Sequence, residues 1–321
     1  MAFFIPQPSE TTEPPPPVVA DDAIVVNPTK SPKRAIGGGR TATCRAAGAL
    51  SLPAALFIKI SNFLAIGVGF RNFALRMTTK LTIDEGNSST KLGLWHGDHL
   101  TEVVTLRHAT LDDIRNFVNG HAPVDALIFC SVCRRDKDDT RRLLAPFARK
   151  VIILDAFTPM PLAIDYATPA TLGPDRIAAA AGAWQLAPGR QSLVVDMGTA
   201  ITYDVVTPDG HYIGGNIAPG IFVRLEALNH FTKALPLVET DGPVPRWGND
   251  TASALRSGAI RGVVGELQYY RHCLLADQHP EVFLTGGSAD LITPFITTPI
   301  HVEPNLVLIG LNSILNYNEN Q

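Results

Sequence analysis

The chain has 321 residues, enough for about two domains of roughly 100–200 residues each, and with 45% of them hydrophobic it can bury a sizeable core. Its net charge of −3 and pI near 6.3 argue against nucleic acid as a main partner, so a small anion would have to be held by local positive groups. Four cysteines (Cys44, Cys130, Cys133 and Cys273) are too few and too scattered for a disulfide scaffold, which makes the cytoplasm the expected compartment.

Residues 1–45 carry the runs Pro14–Pro17 and Gly37–Gly39 without apolar periodicity, the composition of a disordered tail. The stretch 46–73 is more apolar, but Pro53, Lys59 and Asn62 interrupt it and it starts too late for a secretory signal, so no membrane association is expected. The folded part is expected to begin at Met77, with residues 1–76 a disordered or dispensable extension. From there strands and helices alternate, which implies α/β layering. A strand ending in Asp84-Glu85-Gly86 is followed by a second strand from Thr90 to Trp95. Thr110-Leu111-Asp112-Asp113 reads as a helix start with a hydroxyl cap and an acidic first turn. Next come a strand over 125–130, a helix around 139–149 and a short buried run over 151–154. Cys130 and Cys133, despite their metal-like spacing, read as small residues at the buried end of a strand, because no second pair is present. The alanine-rich run 178–186 is helical, with Pro174 near its start. A second strand–turn–strand unit follows, with Asp196-Met197-Gly198 at its turn and a returning strand over 202–206. Pro208-Asp209-Gly210 then turns into 211–215. Asp250 or Thr251 opens a long amphipathic helix reaching about Leu275, and Val282–Leu284, the loop Thr285-Gly286-Gly287-Ser288 and a helix near 305–315 close the chain.

The chemistry centres on the repeated Asp-x-Gly turn. Glycine lets backbone N–H groups turn towards an anion, neighbouring hydroxyls add donors, and the aspartate can hold a neutralising cation; two such turns face to face could hold one polyphosphate. Gly173-Pro174-Asp175-Arg176 sets an acid beside an arginine ahead of a helix. On those residues alone a surface ion pair or a helix cap is the simpler reading. In a kinase cleft Asp175 can instead accept a hydroxyl proton, while Arg176 forks onto a carboxylate or phosphate. No P-loop motif is present, and nine histidines are scattered without metal-ligand spacing.

These motifs together resemble the actin-like ATPase superfamily and, more specifically, type III pantothenate kinase. The carrying residues are Asp84-x-Gly86-Asn87-Ser88-x-x-Lys91, Leu172-Gly173-Pro174-Asp175-Arg176, Asp196-x-Gly198-Thr199-Ala200-x-Thr202-x-Asp204, Gly214-Gly215-x-Ile217-x-Pro219-Gly220, Gly248-Asn249-Asp250-Thr251 and Thr285-Gly286-Gly287. The resemblance covers about residues 79–316. It implies an α/β fold of two ribonuclease H-like domains, 77–190 and 191–321, facing across an ATP cleft. It further implies phosphorylation of pantothenate at its 4′-hydroxyl with Asp175 as general base, and pantothenate contacts from Tyr166, Gly173, Pro174, Asp175, Arg176 and Thr251. ATP contacts would come from Asp84, Glu85, Gly86, Asn87, Ser88, Ser89, Thr90, Lys91 and Thr199. Asp196 matches the monovalent-cation ligand, so Mg²⁺ and potassium or ammonium are expected beside ATP, and a homodimer is expected with the helix 251–275 as a candidate interface. Without that context Tyr166 would be a packing residue, Lys91 an exposed strand lysine and Thr251 a cap.

Two positions depart from the family pattern: Glu85 replaces an apolar residue and Ser88 a threonine. Glu85 either points to the other face of its strand or weakens ATP binding. The rival readings are a nucleotide-binding regulator without turnover, like the Bvg accessory factor, and another small-molecule kinase of the superfamily.

Overall fold

The computed structural model describes residues 78–121, 124–133, 135–274 and 279–319. The expected extension 1–76 and the expected start at Met77 lie outside them.

Three antiparallel strands open the fold: β1 (Thr79–Glu85), β2 (Ser89–His96) and β3 (His99–Arg107). Helix α1 (Leu111–His121) starts with a reciprocal cap, Asp113 N–H donating to Thr110 Oγ1 at 3.2 Å and Thr110 N–H to the Asp113 carboxylate at 2.9 Å. It leads to β4 (Val124–Ser131), parallel to β1. Helix α2 spans only Lys137–Leu144, shorter than the expected 139–149, because Pro146 stops it and residues 148–153 extend as β5 (Ala148–Ile153). The sheet order is β3-β2-β1-β4-β5.

After the two-residue strand β6 (Ala163–Ile164) and helix α3 (Pro174–Leu186), the pattern repeats. Strands β7 (Ser192–Met197), β8 (Ala200–Val206) and β9 (His211–Pro219) form an antiparallel meander. Helix α4 (Ile221–Phe231), which the sequence reading did not anticipate, and helix α5 (Thr251–Leu274) follow. Then β10 (Glu281–Thr285) pairs parallel with β7, and β11 (His301–Val302) parallel with β10. The second order, β11-β10-β7-β8-β9-β6, repeats the first with one added edge strand, so the fold is two ribonuclease H-like halves. Two segments cross the linear division at residue 190: β6 joins the second sheet, and the last helix, α6 (Leu306–Glu319), returns to pack on β1, β2 and β4.

Helices α3 and α6 form the middle layer, α3 lying chiefly on β7 and β8. Their backbones approach too closely for any side chain at the crossing: a Cβ on Gly310 would sit 1.7 Å from the Ala178 carbonyl oxygen, and one on Gly182 2.3 Å from that of Leu306. The buried alanines 178–181 and 183 keep the α3 face flat enough for this contact. Since α3 begins at Pro174, this packing fixes the position of Asp175. No helix among the described residues is long and apolar enough to cross a membrane.

Candidate active site

The two Asp-x-Gly turns occupy equivalent places, Asp84 and Asp196 each standing one residue before the end of the first strand of its half. The register matches as well: Asp84 lies opposite Lys91 and Cys130, Asp196 opposite Thr202 and Thr285. Gly86 N–H donates to the Ser89 carbonyl (2.9 Å) and Gly198 N–H to that of Ala200 (3.0 Å), so the glycines' own amides close the turns rather than face an anion. The turns meet through their hydroxyls, Ser88 Oγ lying 3.2 Å from Thr199 Oγ1. Lys91 crosses the opening, its Nζ donating to the Pro304 carbonyl at 2.5 Å.

A cleft between the halves is lined by Asp84, Gly86 to Ser89, Lys91, Asp175, Asp196, Thr199, Thr202 and Thr285 to Gly287. Its floor is acidic. Burial and then the charges of Asp196 and Asp175 push the Asp84 carboxyl up to about 7, against the pull of Lys91 and the Cys130 thiol. Burial and then Asp175 push Asp196 up to about 7. Asp175 is raised, chiefly by burial, although its Oδ1 accepts the Arg176 backbone N–H at 2.9 Å. Gly286 has φ +89°, and a Cβ there would lie 2.5 Å from Asp196 Oδ1, so the Thr-Gly-Gly loop can touch the second turn only as glycine.

A second cluster adjoins the start of α3. Arg176, 5% exposed, forks with Nε (3.0 Å) and Nη2 (2.6 Å) onto Asp204 Oδ1, which also accepts the Tyr212 hydroxyl at 2.7 Å. Tyr166 and Tyr212 each place a ring about 6 Å from the Arg176 guanidinium, at 5.9 and 6.0 Å. Burial opposes the arginine's charge, and Asp204 more than offsets it, raising its pKa. Asp204 is fully buried, and its Oδ2 has no protein partner among the described residues.

The expected residues therefore fall into groups. Asp84, Gly86, Asn87, Ser88, Ser89, Lys91, Asp175, Asp196 and Thr199 converge on the cleft. Glu85 and Thr90 are buried at 2% exposure and lie outside the cleft lining. Tyr166 and Arg176 share the adjoining cluster, Gly173 precedes α3 as its cap residue and Pro174 opens the helix, and Thr251 is exposed in the first turn of α5, where Asp250 supplies the cap to Ser253 N–H at 2.9 Å. Sequence reasoning missed Val132, Pro304 and Val307 in the cleft wall, and the anchoring roles of Asp204 and Tyr212. Apolar residues beside a cleft look like core in a sequence, but Asp204 carried a signal: an acid between Tyr203 and the apolar pair Val205–Val206 of a strand.

No three His, Cys, Asp or Glu side chains among the described residues come together to chelate a metal. Two facing carboxylates that resist ionisation fit a hard cation completing its shell with water and phosphate oxygens, the habit of Mg²⁺.

A profile described as type III pantothenate kinase matches residues 80–272. The chain belongs to the type III pantothenate kinase family. A type III pantothenate kinase of Porphyromonas gingivalis is 37% identical over 246 residues, 75% of this chain and 100% of that protein. Another from Phocaeicola vulgatus is 40% identical over 242 residues, 74% of this chain and 98% of the relative. Among solved structures, a Baf family transcriptional activator from Campylobacter jejuni superposes with a TM-score of 0.51 at 22% identity, covering 75% of this chain and all of the other, a likeness of fold. Family membership agrees with the duplicated ribonuclease H-like topology and with the facing turns.

Proposed function

We propose that this chain transfers the γ-phosphoryl group of ATP to the 4′-hydroxyl of pantothenate, the entry step of coenzyme A synthesis. The observation that carries the reading is the meeting of the two Asp-x-Gly turns at Ser88 and Thr199 with Asp175 in the same cleft, in a member of the type III pantothenate kinase family. Asp175 takes the hydroxyl proton; burial raises its pKa towards the range useful to a general base. The turn from Asp84 to Lys91 and the Thr199 hydroxyl hold the phosphates, with Lys91 the cation that lines the cleft. Asp84 and Asp196 would hold Mg²⁺, which would supply charge neutralisation for the transferred phosphoryl group. A monovalent cation beside Asp196 has support in the Thr202 hydroxyl, buried and without a partner among the described residues, on the paired strand. Tyr166, Gly173, Pro174, Arg176 and Thr251 are assigned to pantothenate, with the fork of Arg176 on Asp204 fixing its orientation.

The chain works as a homodimer in this reading. An apolar groove lined by Val223, Leu228 and Phe231 of α4 and by Gly258 and Ala259 of α5, with Phe231 83% exposed, supports α4 and the facing side of α5 as part of the interface.

A coupled ADP-release assay with pantothenate, with and without potassium, tests the proposal. Wild type should turn over and Asp175→Asn should lose about 10²-fold or more in kcat. Wild type without pantothenate-dependent turnover would refute the function, and equal rates would remove Asp175 as the base.

A further inference from the structure

Glu85 stands inside the phosphate turn but does not serve it directly. Alternation along β1 turns its side chain to the face opposite Asp84, where it is 2% exposed. There its carboxylate is fully engaged. Ser131 Oγ donates to Oε2 at 2.6 Å; Arg135 Nε reaches Oε1 at 2.9 Å and Oε2 at 2.7 Å, and its Nη2 reaches Oε1 at 2.5 Å. The segment that carries these donors also holds the turn's backbone: Val132 N–H donates to the Glu85 carbonyl at 3.1 Å, and the Cys133 thiol contacts the Gly86 carbonyl at 3.9 Å. Ser131 Oγ in turn receives Cys133 N–H at 3.1 Å. The link between β4 and α2 thus grips the first turn from behind, and Val132 emerges from it into the cleft wall.

A carboxylate this far from water is tolerable only while paired. We propose that Glu85 and Arg135 are positioning residues that hold the turn Gly86 to Ser89 in its nucleotide-binding shape, keeping Ser88 in reach of Thr199. They act from outside the cleft, through the backbone of the turn. Removing Arg135, itself partly exposed, strips the fork from the Glu85 carboxylate, and the turn shifts as that charge is rehydrated. Replacing both partners by apolar residues removes the charge and lets the turn relax back.

This inference rests on the cleft being the nucleotide site of the proposed kinase, so it is tested by binding as well as turnover. The probe is adenosine 5′-(β,γ-imido)triphosphate with Mg²⁺, titrated by calorimetry into the full chain, beside steady-state kinetics. Arg135→Ala should weaken analogue binding and raise the KM for ATP about tenfold, with the KM for pantothenate within about twofold. Arg135→Lys, which keeps the charge but loses the fork, should fall between, and Glu85→Leu/Arg135→Leu should recover to within about threefold of wild type. If Arg135→Ala fails to fold, Arg135→Lys and the double variant carry the test. Analogue affinity unchanged in the variants, or both KM values rising together, would overturn the positioning role. A wild type that binds no analogue would overturn the nucleotide site itself, whereas binding without pantothenate turnover would sink only the assigned acceptor.

Discussion

Replacing Asp84 by asparagine should stabilise the ligand-free protein while destroying its activity. Unfolded, Asp84 ionises near 3.8; folded, it holds its proton to about 7, because burial and the nearby Asp196 and Asp175 penalise the charge. Between those values the native state binds more protons than the unfolded one, so wild-type stability falls as pH rises from about 4 to 7 and is flat above. A displacement of about three pH units at about 1.4 kcal/mol each sets an upper bound near 4 kcal/mol at pH 8. The substituted amide carries no charge at any pH. The expected gain is therefore about 1–2 kcal/mol at pH 5, growing to about 2–4 kcal/mol at pH 8, where it approaches that bound. Urea unfolding followed by tryptophan fluorescence at pH 5, 6.5 and 8, without divalent metal, measures it, and ADP release should be lost in the same variant. Equal midpoints at pH 8, or a gain as large at pH 5 as at pH 8, would refute the electrostatic account of the cleft floor.

Much of the fold was legible because its signals are local. The caps at Thr110 and the proline at 174 marked helix starts, and the doubled Asp-x-Gly turn marked two equivalent halves. Other elements were not legible. The charged residues that follow α2 run on past Pro146 as a helix would, yet Arg149 and Lys150 are the exposed positions of an edge strand. Helix α4 has apolar residues on nearly every side, only Ile221 and Leu225 being buried, so it offers no stripe to recognise. The return of α6 to the first sheet is invisible to any left-to-right reading, because the Gly182–Gly310 crossing that seats it on α3 joins residues far apart in the chain.

The candidate site was legible as residue types and not as partners. The convergence of Asp84, Asp196 and Thr199 follows once the two Asp-x-Gly turns are paired, whereas the place of Asp175 beside them was implied only by the family resemblance. Arg176 shows the limit. Adjacent in sequence to Asp175, it is bound to Asp204, 28 residues on, because a buried guanidinium takes the nearest buried carboxylate whatever lies beside it in the chain. Glu85 shows it again: the departure from the family pattern is neutralised by Arg135, which no spacing rule connects to it.

Two further outcomes test the architecture. Gly310→Ala places a methyl group 1.7 Å from the Ala178 carbonyl oxygen, and since both helices must separate to admit it, a loss of about 3 kcal/mol or more is expected in urea unfolding. A loss below about 1 kcal/mol would mean the crossing is looser than described. Arg176→Lys tests the second cluster. The guanidinium places two donors on Asp204 Oδ1 between two tyrosine rings, and Asp204 Oδ2 has no partner among the described residues, so the carboxylate depends on those donors and the Tyr212 hydroxyl. A lysine keeps the charge but supplies one point donor and no planar face. About 1–3 kcal/mol of stability should go, because the buried carboxylate is left half-satisfied. The KM for pantothenate should rise with little change in that for ATP, because Arg176 is assigned to the acceptor and lies beyond the phosphate turns. An unchanged KM for pantothenate alongside the expected loss of stability would make Arg176 a structural residue that ties α3 to the second sheet, and the acceptor would then have to be held by Tyr166, Thr251 and the start of α3.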